Sequence, residues 1–245
     1  MDRSLFTCII DDIASWPRPP EEVVPTNFGE LFMNKSWYAM LQEISAKVPK
    51  TAIKLVTTGL LLTTEAIESL AMIPTLSYVN FSVNAYFEET WARVHKVPGK
   101  HMKRVLDSIH AFRDRRPDVE VNVSMVHDPE LTTELEKDMF ITYWSQFGSY
   151  SISNVSFANH PTRRPVEPVK LPCRSVFDGL VIFDDGKVGP GCCFDGDAEP
   201  ELNIGVFPEQ KLLDIWRGEK LKKLCELHNS GRRAELGICK TCTFA

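Results

Sequence analysis

Six of the seven cysteines in this chain lie between Cys173 and Cys242, a stretch of 70 residues, and only Cys8 stands apart. No other feature limits the fold so much. The N-terminus, Met1-Asp2-Arg3-Ser4-Leu5-Phe6, lacks the basic start and continuous apolar run of a signal peptide. A reducing cytoplasm is therefore the expected compartment. Disulfides rarely persist there, and clustered thiols read instead as metal ligands or catalytic groups. The uneven distribution predicts two parts with different work.

The first part alternates helix-like and strand-like stretches. Leu5, Cys8, Ile9 and Ile13 fall on one helical face, with Cys8 expected in the core. Val23 to Phe28 reads as a short strand, and Trp37, Met40, Leu41, Ile44 and Val48 repeat at helical spacing. Ala52 to Thr57 is a strand, Thr64 a candidate helix N-cap, and Tyr78 to Val83 another strand. Helices follow over Phe87 to Val94 and His101 to Arg115, then a strand over Val119 to Val126, a helix over Glu134 to Phe147 and a strand over Ser151 to Ala158. Such alternation predicts parallel βαβ units. Five strands fall short of the eight of a closed barrel, so the expected class is α/β, an open sheet or partial barrel. Hydrophobic residues make up 43% of the chain, enough for a core that does not depend on a metal. The net charge of -5 gives no reason to expect nucleic acid, and no run of about 18 apolar residues suggests a membrane span.

The stretch from His160 to Pro172 holds four prolines and no periodicity. The expected organisation is thus an α/β domain over 1–160, a linker over 161–172 and a small cysteine-rich domain over 173–245. In that last part Val181-Ile182-Phe183 and Lys187-Val188 flank Asp184-Asp185-Gly186, a hairpin signal in which both central positions are expected at positive φ. Short helices are expected around Leu212–Trp216 and Leu221–Leu224. Cys239 and Cys242 form a CxxC, Cys173 precedes the hairpin and Cys192-Cys193 follow it. The hairpin returns the chain toward its start, so these thiols can converge. Four thiolates suit zinc or an iron–sulfur cluster; buried free cysteines are the plainer alternative. Cys225 falls within a helix and reads as core. The six histidines show no metal spacing, His95 and His101 read as solvated, and Lys220, Lys222, Lys223 and Arg232-Arg233 read as a solvated basic face.

The order of these features resembles a SPASM or twitch domain: a cysteine, a hairpin with a "DG.V" turn, a Cys-Cys-x-Asp step, an Ile-Trp helix, a basic helix and a terminal CxxC. Here they are Cys173, Asp185-Gly186-Lys187-Val188, Cys192-Cys193-Phe194-Asp195, Leu212-Leu213-Asp214-Ile215-Trp216 and Cys239-Lys240-Thr241-Cys242. The resemblance implies one auxiliary [4Fe–4S] cluster on Cys173, Cys192 or Cys193, Cys239 and Cys242, with Cys192 favoured of the pair. Two departures blur the match. Gly191 intervenes between Pro190 and Cys192, and the family's Gly-Asn step stands out of order in Leu202-Asn203-Ile204-Gly205.

The first part resembles a radical SAM partial barrel without its first strand. Phe28-Gly29-Glu30-Leu31 stands where that family has its "GGEP" loop, with Leu31 in place of proline. Thr57-Thr58-Gly59-Leu60-Leu61-Leu62-Thr63 looks like its "TNG.LLT" segment, and Phe81-Ser82-Val83-Asn84-Ala85 like the end of its fourth strand. The resemblance implies contacts of Gly29 and Glu30 with the amino group of S-adenosylmethionine, and of Ser82 and Asn84 near its ribose. The family's CxxxCxxC, which holds the cluster that cleaves the cofactor, occurs nowhere in the sequence. Radical cleavage by this chain alone is therefore not expected, and no catalytic residue is named. The resemblance implies a truncated or degenerate relative of enzymes that modify peptides or proteins or oxidise small substrates, with a peptide or protein substrate or a partner that supplies the catalytic cluster. The alternatives are a non-catalytic binding or electron-transfer module with one auxiliary cluster, and a structural zinc protein.

Overall fold

The structure of the protein, a computed structural model, describes residues 1–27, 29–154, 171–191, 200–240 and 242. The chain opens with helix α1 (Arg3–Ala14), and its contacts divide it into two compact units. One is Pro19–Val155. The other joins Met1–Arg18 to the residues from Ser156 onward. In this division α1 groups with the C-terminal part of the chain.

Pro19–Val155 is built on five strands: β1 (Glu22–Val23), β2 (Ala52–Thr57), β3 (Leu76–Ser82), β4 (Glu120–His127) and β5 (Ser149–Asn154). All pair in parallel in the order β1-β2-β3-β4-β5. Helices α2 (Trp37–Lys47), α3 (Thr64–Ala71), α4 (Glu88–His95), α5 (His101–Arg115) and α6 (Glu134–Trp144) make the crossovers. Parallel neighbours in sequence order, joined by crossovers of the right-handed kind such units almost always adopt, put successive helices on one face, the winding of a barrel segment. The expected α/β partial-barrel class is what the structure has. β1 is shorter than the Val23–Phe28 expected, because Pro25 lacks the N–H a longer ladder needs.

The two faces of this sheet differ sharply. Ile53, Leu55, Val79, Phe81, Val123 and Met125 alternate onto the helix side, each 2% exposed or less. Their alternates are polar or open to solvent. The side-chain amide of Asn80 donates to Ser124 Oγ at 2.9 Å, and that of Asn122 donates to Asn80 Oδ1 at 2.6 Å and Ser151 Oγ at 2.9 Å. Val56 and Val126 lie on the same side, 41% and 42% exposed. A parallel sheet is normally covered on both faces; here a hydrogen-bonded polar ladder runs across three strands on the face that helices leave free. On the covered side, buried Glu136 of α6 accepts hydrogen bonds from the backbone N–H groups of Tyr86 and Phe87 at the start of α4. A carboxylate there meets N–H groups that have no partner within the helix.

In the other unit α1 buries Phe6, Ile9, Ile10 and Ile13 and leaves Cys8 exposed, against the core position expected for that thiol. The apolar stripe runs i, i+3, i+4, i+7 from Phe6, and Cys8 falls off it. Asp2 caps the helix by accepting from Ser4 N. After residue 171 come helix α7 (Ser175–Asp178), strands β6 (Leu180–Ile182), β7 (Lys187–Pro190) and β8 (Gly205–Val206), and helices α8 (Leu212–Trp216) and α9 (Glu219–Asn229). The three strands form one antiparallel sheet. The hairpin expected at Asp185-Gly186 is present, but only Gly186 takes a positive φ, +87°. Phe183 N bonds Lys187 O and Gly186 N bonds Phe183 O, so the loop has three residues and closes on a left-handed glycine. Two 3-10 turns, Arg233–Glu235 and Ile238–Lys240, end the described chain before Cys242.

Candidate functional site

The described candidate cysteines of the C-terminal unit lie on two segments, Cys173 before α7 and Cys239 with Cys242 at and after the Ile238–Lys240 turn. Cys173, at the approach to α7, is 6% exposed; Cys239, on the final 3-10 turn, is 9% exposed. Cys242 is half-buried. Burial pushes the Cys239 thiol up to about 11; the Arg233 cation opposes this, and Cys242 and Cys173 add to it. A buried thiol held this high gives up its proton readily only when positive charge arrives, as a bound metal would bring. Cys192 and Cys193 lie outside the described residues. The return of the hairpin is realised up to Gly191, whose N–H bonds the carbonyl of Ser175, two positions after Cys173. A Cβ at Gly191 would stand 3.2 Å from both Ser175 O and the carbonyl carbon of Gly179. The glycine that departs from the family pattern thus permits a close approach of two backbones. Among the described residues no group of three or more His, Cys, Asp and Glu is arranged to hold a metal ion. Cys225 stands aside, half-buried in α9 with its thiol donating to Val176 O at 3.4 Å.

Two residues at this centre escaped the sequence reading. His228 is fully buried on α9. Its Nδ1 lies 3.0 Å from the backbone N of Cys173, and its Nε2 lies 3.7 Å from Cys239 Sγ. Burial, then the Arg233 charge, hold its pKa below the usual histidine value. The signal for it was in the sequence: Leu221, Leu224 and His228 lie at i, i+3 and i+7, which puts the histidine on the apolar stripe of α9. Arg233 is the second. Its expected solvated position is overturned, since it is 2% exposed and donates from Nη1 to Leu171 O at 2.7 Å. Arg232, beside it, is exposed and pairs with Glu235. Glu201 accepts from Gly237 N at 3.1 Å, anchoring the backbone just before Cys239.

In the other unit Gly29, Glu30, Ser82 and Asn84 all stand at or beyond the C-terminal ends of parallel strands, the end where α/β sheets present ligand-binding loops. Gly29 takes a φ of +90° with nothing near its missing Cβ. The Glu30 carboxylate accepts from three donors, all at 2.9 Å: the Thr57 hydroxyl, whose single proton is shared between its two oxygens, Thr58 N and Thr58 Oγ1. It therefore ties the loop after β1 to the end of β2. Ser82 receives a long hydrogen bond from Asn80. Asn84 sits at a φ of +61°, and its Oδ1 accepts from Val126 N at 2.9 Å. Asparagine tolerates that left-handed geometry better than most residues. His95, expected in solvent, is half-buried; its Nε2 lies 2.9 Å from Val83 O, and burial lowers its pKa.

Residues 173–243 match SPASM, an iron–sulfur cluster-binding domain. That match is confined to the C-terminal part of the chain, and the fold as a whole is similar to that of several solved structures. Solved structures of similar fold include BtrN in complex with AdoMet and 2-DOIA, at 14% identity, a TM-score of 0.63, and coverage of 99% of this chain and 80% of that one. Native anSMEcpe with bound AdoMet and Cp18Cys peptide matches at 12% identity and a TM-score of 0.70, covering 93% and 75%. Streptococcus suis SuiB bound to precursor peptide SuiA matches at 14% identity and a TM-score of 0.52, covering 91% and 60%. No curated protein sequence matches the chain. No described helix is long and apolar enough to cross a membrane.

Proposed function

We propose that this chain is an iron–sulfur protein of the radical SAM/SPASM kind that holds one auxiliary [4Fe–4S] cluster on Cys173, Cys192 or Cys193, Cys239 and Cys242. The observation that carries this reading is the meeting of Cys173 and Cys239 on the two nitrogens of one buried imidazole. Soft thiolates in a largely buried setting, with a buried arginine beside them, fit a cluster whose thiolate ligands bring net negative charge. Bound there, the cluster supplies one-electron transfer. The residues of this chain fix the ligand sulfurs, exclude water and offset charge.

The loops at the strand ends are assigned to AdoMet. Glu30, fixed by Thr57 and Thr58, presents the loop with Gly29 to the cofactor's amino group, and Ser82 and Asn84 lie on the ribose side. The polar ladder of Asn80, Asn122, Ser124 and Ser151 offers amide and hydroxyl groups to a peptide or protein substrate. The 245 residues contain no CxxxCxxC. The cluster that cleaves AdoMet is therefore assigned to cysteines outside these residues, in the same protein or in a partner. The cytoplasm, where thiols stay reduced, is the compartment that suits such a protein.

The test is the metal content of the full chain after anaerobic purification and reconstitution, with Cys239→Ser beside it. About four irons and about four sulfides per chain, a broad brown absorbance and their loss in the serine variant support the reading. One zinc per chain without colour overturns it in favour of a structural site.

A further inference from the structure

His228 occupies a position whose chemistry is fixed by its neighbours. A backbone N–H can only donate, so the Cys173 amide at 3.0 Å requires a lone pair on Nδ1. A neutral imidazole then carries its hydrogen on Nε2. That nitrogen faces Cys239 Sγ at 3.7 Å, within reach of a hydrogen bond to sulfur. The ring is fully buried, so these two contacts fix its orientation.

On the reading that these cysteines ligate a cluster, we infer that His228 is a positioning residue of that centre, oriented by the Cys173 amide and donating Nε2–H to the Cys239 thiolate, so that one side chain aligns two ligand segments and sets the reduction potential. Hydrogen bonds to cluster sulfurs favour the more negative, reduced state and raise the potential. The bond also selects Cys239 among the ligands, because its sulfur alone receives the imidazole proton. The geometry further explains why a helix distant in sequence from Cys173 packs against it.

The experiment compares the reconstituted full chain with His228→Leu and His228→Gln. Glutamine offers an acceptor oxygen and a donor nitrogen; leucine offers neither. Iron and sulfide are counted first, then the midpoint potential is read by redox titration followed by electron paramagnetic resonance. The expected result is a leucine variant with a lower potential, by about a tenfold change in the reduced-to-oxidised ratio at fixed poise, which is 59 mV for one electron. The glutamine variant should return toward the parent value. In parallel, the unsubstituted protein labelled with 15N-histidine should show a weak nitrogen coupling to the reduced cluster, which decides the matter even if the leucine variant loses its cluster. A loaded leucine variant at the parent potential, or a parent protein without that coupling, overturns the inference and leaves the cluster reading standing. A parent protein that takes up no iron and sulfide overturns both.

Discussion

The carboxylate of Asp12 accepts a hydrogen bond of 3.2 Å from the backbone N–H of Leu212, 200 positions further along the chain. The same oxygen accepts from Trp16 Nε1, also at 3.2 Å. Leu212 opens α8, so an acid from the first helix sits at the N-terminus of a helix in the C-terminal part, where a negative charge is favourable. Replacing Asp12 by alanine should destabilise this unit by about 1–3 kcal/mol. Chemical denaturation followed by Trp16 and Trp216 fluorescence measures it, and an unchanged midpoint would show the contact to be without weight.

Gly186 makes a second prediction. Its φ of +87° is unfavourable for any residue with a side chain, and a Cβ built there would stand 2.2 Å from the carbonyl oxygen of Phe207. That atom belongs to the backbone next to β8 and cannot rotate away. Gly186→Ala should cost about 2 kcal/mol or more and displace the β6–β7 hairpin from β8. The check is the melting temperature of the variant together with its iron content, which should both fall.

Arg233 places a buried positive charge beside Cys239. Removing that charge makes a negatively charged centre harder to reduce. Arg233→Met should lower the midpoint potential of the reconstituted protein by on the order of 60 mV, a tenfold change in the ratio, while Arg233→Lys should retain most of the parent value. Equal potentials in all three proteins would remove Arg233 from the charge balance.

Acid should weaken the fold through His95. Burial holds its folded pKa below the ordinary value of 6.5, against a smaller opposite effect of the Val83 carbonyl. Below 6.5 the unfolded chain binds a proton that the folded chain refuses. Stability is thus unaffected by His95 above that pH, and falls as pH drops from 6.5 toward the lower folded value. Comparing urea midpoints at pH 7 and pH 5, the parent protein should lose more than His95→Gln does. Equal losses would place the acid sensitivity elsewhere.

The sequence made the α/β alternation legible because hydrophobic spacing decides element type. Ala52–Thr57 and His101–Arg115 run as expected, and five parallel strands appear where five were read. What spacing does not carry is which unit an element joins. The amphipathic stripe of α1 is visible, but its partner lies near Leu212, and no local pattern reveals a contact across so much chain. At the cysteine centre the thiols announced themselves by their clustering. His228 was legible only as a core residue, since its place on the apolar stripe of α9 says nothing of the cysteines it meets, and Arg233 was not legible at all, because only burial separates it from Arg232. The turn at Gly186 was found for a partly mistaken reason: Asp-Gly marks the hairpin, but the loop is longer and needs one left-handed residue.

The place of His228 on α9 has a consequence for how the sequence can drift. Each residue added to a helix turns everything after it by about 100°. An insertion or deletion between Leu221 and His228 would swing the imidazole off the apolar stripe and part Cys173 from Cys239, with no cysteine altered. Substitutions on the outer side of α9, at Lys222, Lys223 or Glu226, leave that phase intact. The helix is thus constrained as a spacer of fixed length, tolerant of spelling and intolerant of counting errors.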